Sequence, residues 1–494
     1  MPIDLASSRK KHYSFRPLWY GLPPCILTGL LWLSSTHAVN STQVGLAMLL
    51  AIVPWIAFLQ WRQNPKHLLP LFALISGMYW LYFGVAMFWG DTRFIIFGSK
   101  GPHIPESTIT TVILMAVIGV FAMLAGTRVG SLTISIPTFT MGSPQTSAQW
   151  LYIDLIVLFP LVSSRFVSIG GDTRQAVILF LEFVPLVAFA MLFQKFLVGR
   201  ATLYEKVLLV AFLLLKSATG LASGSMGSVV AIFIVVAALY LQTRRKVPKV
   251  ALAGLAIYVL FFQVGKGGFR ERYWTNQVSG DTIQRLTDWV GFSLKAWGFF
   301  YDHPSAERFQ ILVSQSFSRL SLLPMAAAVV ERTPNPVPYQ NGKLYSYMLI
   351  TLIPRFVWPE KPSFNEANQF FQVAYGLTRL RDLGNSSIAV GVLAESFINF
   401  GWIGVIVIMF LMGIFISVFQ SIFFMPKTPM VLAAIGVVLL PSMLAIESQL
   451  VQYFGGMIQQ VVVAYCVMLP ITAIRRKTTT NRRLQGEEVA VPSR

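Results

Sequence analysis

The chain has 494 residues, of which 55% are hydrophobic and only 12% charged, and its mean hydropathy is +0.63. A soluble globular domain carries about twice that share of charge, and a disordered chain lacks the 13% aromatic content found here, so both classes are excluded. The formal charge of +19 must therefore be read as membrane topology before nucleic-acid affinity, and no nucleic-acid partner is expected.

A basic N-terminal segment, residues 1–17, carries Arg9, Lys10, Lys11 and Arg16 and leads into the first apolar run. About 20 apolar residues cross a bilayer core. On that basis nine spans fill residues 18–264, at 18–36, 43–61, 67–89, 108–126, 150–163, 175–194, 206–223, 227–242 and 249–264. No small-residue cleavage site follows the first run, so it is expected to remain as a membrane helix. Residues 265–400 then form a large block, whose apolar runs at 310–330 and 344–358 are interrupted by Arg or Pro. Such runs read as interfacial or re-entrant helices, not spans. Three more spans, 401–424, 429–446 and 450–474, precede a polar tail at 475–494 that is expected to be disordered. The predicted fold class is an all-α polytopic membrane protein with about twelve transmembrane helices and a large periplasmic helical block.

Twelve spans put both termini on one side. Arg62, Lys66, Arg128, Lys195, Arg200, Lys206, Arg244, Arg245, Lys246, Lys249, Lys427 and the tail arginines all fall on that side and carry nearly all of the surplus charge. The positive-inside rule makes it the cytoplasm. The far side, including the 265–400 block, is nearly neutral but keeps several arginines beside aromatics and glycines. These are Arg165, Arg270, Arg272, Arg319, Arg355, Arg379 and Arg381. Guanidinium binds phosphate bidentately and stays charged near lipid, so the set suits a lipid-linked phosphate or pyrophosphate. The alternative is headgroup contact or snorkelling. Gly170-Gly171 and Gly267-Gly268 adjoin two of these sites, where a glycine turn would let backbone N–H groups approach an anion. A helix stop is the other reading of such a pair.

Glu395 stands among apolar and small residues at the entry to the tenth span, where partial burial would suit a general base. Pairing with an arginine is the competing role. Asp154, Glu182 and Lys216 are the charges well inside spans, and such groups face a cavity or one another; an ion path is one reading, and a structural pair of Glu182 with Lys216 the other. The five histidines have no metal-ligand spacing, and Cys25 and Cys466 lie in apolar runs, so no metal and no cofactor is expected.

Several local patterns point further. Ile353-Pro354-Arg355-Phe356-Val357-Trp358-Pro359-Glu360-Lys361-Pro362, followed by Asn365, resembles the Pro-Arg-x-x-Trp-Pro-x-Lys-Pro segment of the O-antigen polymerase family, the oligosaccharide repeat-unit polymerases. Ser223-Gly224-Ser225-Met226-Gly227 looks like that family's Gly-Ser-Arg-Gly, with Met226 in place of the Arg. Glu395-Ser396-Phe397-Ile398-Asn399-Phe400-Gly401 is similar to its acidic-aromatic-Asn-Phe-Gly entry into a late span. The resemblance implies a metal-independent glycosyltransferase of the bacterial inner membrane, similar in fold to the C-type membrane glycosyltransferases. Such an enzyme joins oligosaccharide repeat units carried on polyprenyl pyrophosphate at the periplasmic face. The implied partners are that lipid-linked oligosaccharide, membrane lipid, and a chain-length regulator and flippase of the same pathway.

On this reading Arg165, Arg270, Arg272, Arg319 and Arg355 stabilise the departing pyrophosphate. Glu395 is the first candidate base and Asp172 the second. Tyr273, Trp274, Trp358, Tyr375, Lys361 and Asn399 contact the sugars. An O-antigen ligase is the competing enzyme, a transporter or flippase for a lipid-linked saccharide or anion the competing class, and a non-catalytic scaffold a third reading.

Overall fold

A computed structural model describes residues 17–35, 38–63, 66–89, 93–96, 99–133, 142–163, 173–302, 320–351, 366–379 and 390–485, together with 305, 358, 383 and 388. In chain order the helices are α1 (Pro17–Leu33), α2 (Ser41–Gln63), α3 (Leu71–Trp89), α4 (Glu106–Thr133), α5 (Ser147–Ser163), α6 (Thr173–Leu197), α7 (Leu203–Ala222) and α8 (Gly227–Arg244). They continue with α9 (Lys249–Arg270), α10 (Thr282–Asp302), α11 (Leu323–Arg332), α12 (Lys343–Thr351), α13 (Glu366–Ala374), α14 (Gly391–Phe423), α15 (Met430–Leu444) and α16 (Leu450–Gln485). One departure from the all-helical expectation is a two-stranded antiparallel ribbon between α3 and α4, Arg93–Ile96 with Ser99–His103.

Among the described residues seven helices are long and apolar enough to cross a membrane: Ser41–Gln63, Leu71–Trp89, Glu106–Leu132, Gly227–Arg244, Lys249–Thr275, Gly391–Phe423 and Leu450–Ile471. The protein is a multi-pass, predominantly helical membrane protein. Of the other predicted spans, α5 and α15 are shorter and α7 is more charged. At 15 residues, α15 reaches about 23 Å, less than the ~30 Å hydrocarbon core. Within α7 stand Glu205, Lys206 and Lys216. At the C-terminus α16 continues to Gln485, so the start of the polar tail is helical.

The centre of the bundle is the crossing of α4 and α14. Gly126 and Gly130 on α4 meet Phe410, Gly413 and Ser417 on α14 so closely that a Cβ on Gly126 would stand 1.9 Å from the Phe410 carbonyl oxygen. Small residues at this spacing let two backbones touch where lipid gives no hydrophobic drive for association. Around the crossing, Val112, Ile113, Val405 and Met409 are fully or almost fully buried. In α3, residues Trp80–Val85 form a π-helical turn. The Tyr82 carbonyl there accepts the Leu322 N–H at 3.3 Å, which ties the end of α3 to the start of α11.

The predicted boundary at residue 401 falls on a break inside α14, not on a helix start. Phe400 and Gly401 leave the helical region, with Gly401 at φ 60° and ψ −144°, a conformation open essentially to glycine alone. The preceding turns, Gly391–Asn399, are buried in the core. The last residues of the 265–400 block thus belong to the bundle.

The beginning of that block is also part of the bundle. Along α9, α10 runs antiparallel: Trp289 donates its Nε1–H to the Phe262 carbonyl at 3.0 Å, Ser293 lies against Gly265 and Phe292 against Gly268. Since α9 is one of the long apolar helices, α10 lies alongside a span instead of in a free loop. Gly267 and Gly268 are inside α9. Their N–H groups follow the helical path, and the expected anion-binding turn is absent there. What Gly268 provides is room for the Phe292 ring of α10.

The start of α7 follows its sequence signal. Thr202 and Glu205 form a reciprocal capping box, with the Thr202 N–H 2.7 Å from the Glu205 carboxylate. Glu205 is also paired with Lys195 of α6, whose ammonium sits 4.2 Å above the Trp150 ring of α5. Asp154, buried on α5, is within electrostatic reach of both. Lys195 and Glu205, which the sequence reads as loop charges, are therefore a partly buried pair beside Asp154. Glu182 and Lys216 also lie within electrostatic reach of each other.

Candidate functional site

The residues with chemical potential fall into two groups. The first is the elbow between α9 and α10. The chain leaves α9 through a π-helical turn, Glu271–Thr275. It re-enters helix at α10, where Asp281 accepts the Gln284 N–H at 2.7 Å as an N-cap. Phe269 stacks on Trp289 with ring centroids 4.7 Å apart, and Tyr273 packs on Phe269 at 4.9 Å. This aromatic floor fixes the arginines above it.

The Arg270 guanidinium lies 4.4 Å from the Trp274 ring centroid. Arg272 and Arg285 both lie over the Tyr273 ring, at 5.8 and 5.1 Å. Asp288 accepts the Tyr273 hydroxyl and pairs with Arg272 Nε at 3.3 Å. The elbow therefore collects Arg272 and Arg285 around Tyr273 and Asp288, with Arg270 on the neighbouring Trp274 and Glu271 exposed beside them. Trp274 is half exposed, and cation–π contact with such rings costs the arginines little hydration.

The Ser223–Gly227 motif reaches the same place. Gly224 has φ +79°, and a Cβ there would stand 2.8 Å from the Phe269 ring and 3.0 Å from Trp274. Met226 is buried in the cluster of Phe269, Tyr273 and Trp289. Two segments singled out separately in the sequence thus converge, with the Met226 thioether filling an apolar niche.

The second group lies at the break in α14. Glu395 is fully buried, more deeply than its expected place near the interface. Its Oε2 accepts the Leu450 N–H at 2.7 Å, at the first turn of α16, while Oε1 has no hydrogen-bond partner among the described residues. The expected arginine partner is replaced by a helix N-terminus, which favours negative charge. One turn on, the break leaves the Ile398 and Asn399 carbonyls without helical partners. The Gln340 and Asn341 N–H groups satisfy them, each at 3.0 Å. Asn399 uses its side-chain amide inside the joint, donating to the Glu395 carbonyl at 3.0 Å and accepting the Gly342 N–H at 3.1 Å. In this arrangement Asn399 holds the joint; it does not face a sugar.

The Tyr345 hydroxyl on α12 faces Glu395, Ser396 and Asn399. Burial first, and then the Glu395 charge, push it above its ordinary range, so it stays protonated. A groove of about 420 Å³ opens beside the break, lined by Tyr339, Asn341, Phe400, Ile403, Gly404, Val407 and Ile408. Ile403 and Val407 are exposed on a helix of membrane-crossing length, so the groove opens sideways.

Of the other expected site residues, Trp358 is 40% exposed, as a contact residue requires. Tyr375 is fully buried, with its hydroxyl on Thr333 and its carbonyl accepting Arg332 Nη1 at 2.8 Å. It is a core residue and does not stack on a sugar. Arg165, Asp172, Arg319, Arg355, Lys361 and Arg381 lie outside the described residues. Sequence reasoning missed Arg285 and Asp288. Their signal was an Arg-x-x-Asp spacing on an amphipathic helix, without the adjacent glycines that marked the other arginines.

Fold and site together define a multi-pass helical membrane protein with an arginine-rich, aromatic elbow beside one span and a buried carboxylate at the break of another. The chain belongs to the family described as Domain of unknown function (DUF8712), whose match covers residues 104–479 and so includes both groups. No curated protein and no solved structure matches it.

Proposed function

We propose that the protein is a membrane glycosyltransferase of the O-antigen polymerase type, joining polyprenyl-pyrophosphate-linked oligosaccharide repeat units. The observation that carries this reading is the elbow, where Arg270, Arg272 and Arg285 gather on Trp274 and Tyr273 at the end of a long apolar helix, with Trp274 exposed. In the proposed reaction the bond between the anomeric carbon and the pyrophosphate oxygen breaks. A sugar hydroxyl of the acceptor unit forms the new bond to that carbon and gives its proton to a carboxylate. The guanidiniums take up the charge that develops on the departing pyrophosphate. Glu395, with one unpartnered oxygen, and Asp172 are the candidate bases. The sideways groove beside α14 suits the polyprenyl chain. On this reading twelve spans cross the bacterial inner membrane, with both termini cytoplasmic and a fold similar to C-type glycosyltransferases.

A second reading, a flippase or transporter, is favoured by the buried Asp154 and Glu205 and the partly buried Lys195, since charge inside an apolar bundle often marks a translocation path. The lipid-linked products of a deletion strain separate the readings. A single accumulated repeat unit on the carrier supports the polymerase, and long polymer on the carrier supports a ligase. Arg270→Ala and Arg355→Ala should each abolish polymer while expression and single capped units persist. Loss of lipid-linked units from the outer leaflet would favour the flippase.

A further inference from the structure

We propose that Arg272 and Arg285 form a two-guanidinium clamp for a diphosphate and that Asp288 is its positioning residue. The proposal rests on the pyrophosphate-linked reading above and assigns part of that site to α10. Each guanidinium has its Nε beside a protein oxygen, hydrogen-bonded in Arg285 and ion-paired without a hydrogen bond in Arg272. Arg272 Nε stands 3.3 Å from Asp288 Oδ2, and Arg285 Nε donates to the Gly280 carbonyl at 3.0 Å. A guanidinium hydrogen-bonded through Nε, as that of Arg285 is, presents its terminal Nη fork on the opposite side, the edge that matches two phosphate oxygens.

One ring keeps the two forks together. Tyr273 is buried, both guanidiniums lie over it, and its hydroxyl is fixed by the same Asp288 oxygen that holds Arg272. A single carboxylate thus sets the orientation of Tyr273 and Arg272 at once, while neutralising only one of the two cations. The clamp is also reachable, since the Arg272 side chain is 41% exposed and that of Asp288 25%. Two forks on one ring suit two linked phosphoryl groups better than one, because a single phosphate can satisfy only one fork bidentately. The clamp should therefore discriminate diphosphate from monophosphate, and Asp288 should set that discrimination without itself contacting the anion.

The test is calorimetric titration of the purified full-length protein in detergent with inorganic pyrophosphate and, separately, orthophosphate. Wild type should bind pyrophosphate at least about tenfold more tightly than orthophosphate, one well-formed bidentate contact being worth that much. Arg285→Ala and Arg285→Lys should each weaken pyrophosphate binding about tenfold, the lysine failing because it keeps the charge but loses the fork. Asp288→Ala should bring the two affinities together, and Asp288→Glu should restore the difference; a purely structural role would weaken both anions alike. Equal affinities in wild type, or wild-type pyrophosphate binding in Arg285→Lys, would overturn the clamp. Polymer formation at the wild-type rate by Arg285→Ala would overturn the clamp and leave the polymerase reading standing. Discriminating binding by a protein that builds no polymer would uphold the clamp and end the polymerase reading.

Discussion

Gly126→Ala should destabilise the bundle more than any comparable one-methyl change on its surface. The added Cβ would stand 1.9 Å from the Phe410 carbonyl oxygen, where ordinary contact begins at 3.4 Å. The obstacle is backbone, which cannot rotate aside, so α4 and α14 would have to separate by about 1.5 Å, interaxial distance being set by the groups at the contact. Overpacking of this kind costs about 1–3 kcal/mol, and the rigid obstacle argues for the upper part of that range. Gly413→Ala meets the Met123 carbonyl oxygen at 2.1 Å across the same crossing. Once one methyl has opened the gap the second needs little more, so the double variant should cost clearly less than the sum of the singles. Thermal unfolding of the detergent-solubilised protein measures all three. An unchanged midpoint for Gly126→Ala, or strict additivity in the double variant, would refute the close crossing.

The Glu395 joint separates a structural from a catalytic role. Glu395→Gln keeps an oxygen for the Leu450 N–H and should unfold near the wild-type midpoint, whereas Glu395→Ala orphans that buried donor and should cost about 1–3 kcal/mol; full polymer length in Glu395→Gln would eliminate Glu395 as the base. His67, between α2 and α3, is held below its ordinary value first by burial and then by Lys66. A histidine kept neutral contributes stability that is fully present above its unfolded value of about 6.5 and is lost as pH falls below it. Unfolding midpoints of wild type should therefore drop between pH 7 and 5 more steeply than those of His67→Gln, and parallel profiles would count against this role for His67.

The apolar periodicity of the chain made the membrane class and most helix positions legible, because twenty apolar residues leave few alternatives to a span. Depth and partnership were less legible. The Gly401 boundary was visible as a change of pattern, but whether the chain starts or breaks a helix there depends on Gln340 and Asn341, some sixty residues upstream, satisfying its carbonyls. Lys195 and Glu205 read as loop charges because their pairing is made across two helices. The elbow was half legible. Arg270, Arg272, Tyr273 and Trp274 stand out in sequence, whereas Arg285 and Asp288 join them only through the antiparallel packing of α10 on α9, which no local pattern specifies. Glu395 was legible as unusual, yet its partner, the N-terminus of α16, was not.

The central claim is chain growth on a pyrophosphate carrier, and reconstitution tests it most directly. The purified protein in liposomes, supplied with polyprenyl-pyrophosphate-linked repeat units, should release free polyprenyl pyrophosphate and yield a ladder of carrier-linked oligomers. Movement of intact single units between leaflets, with no ladder and no released pyrophosphate carrier, would contradict it.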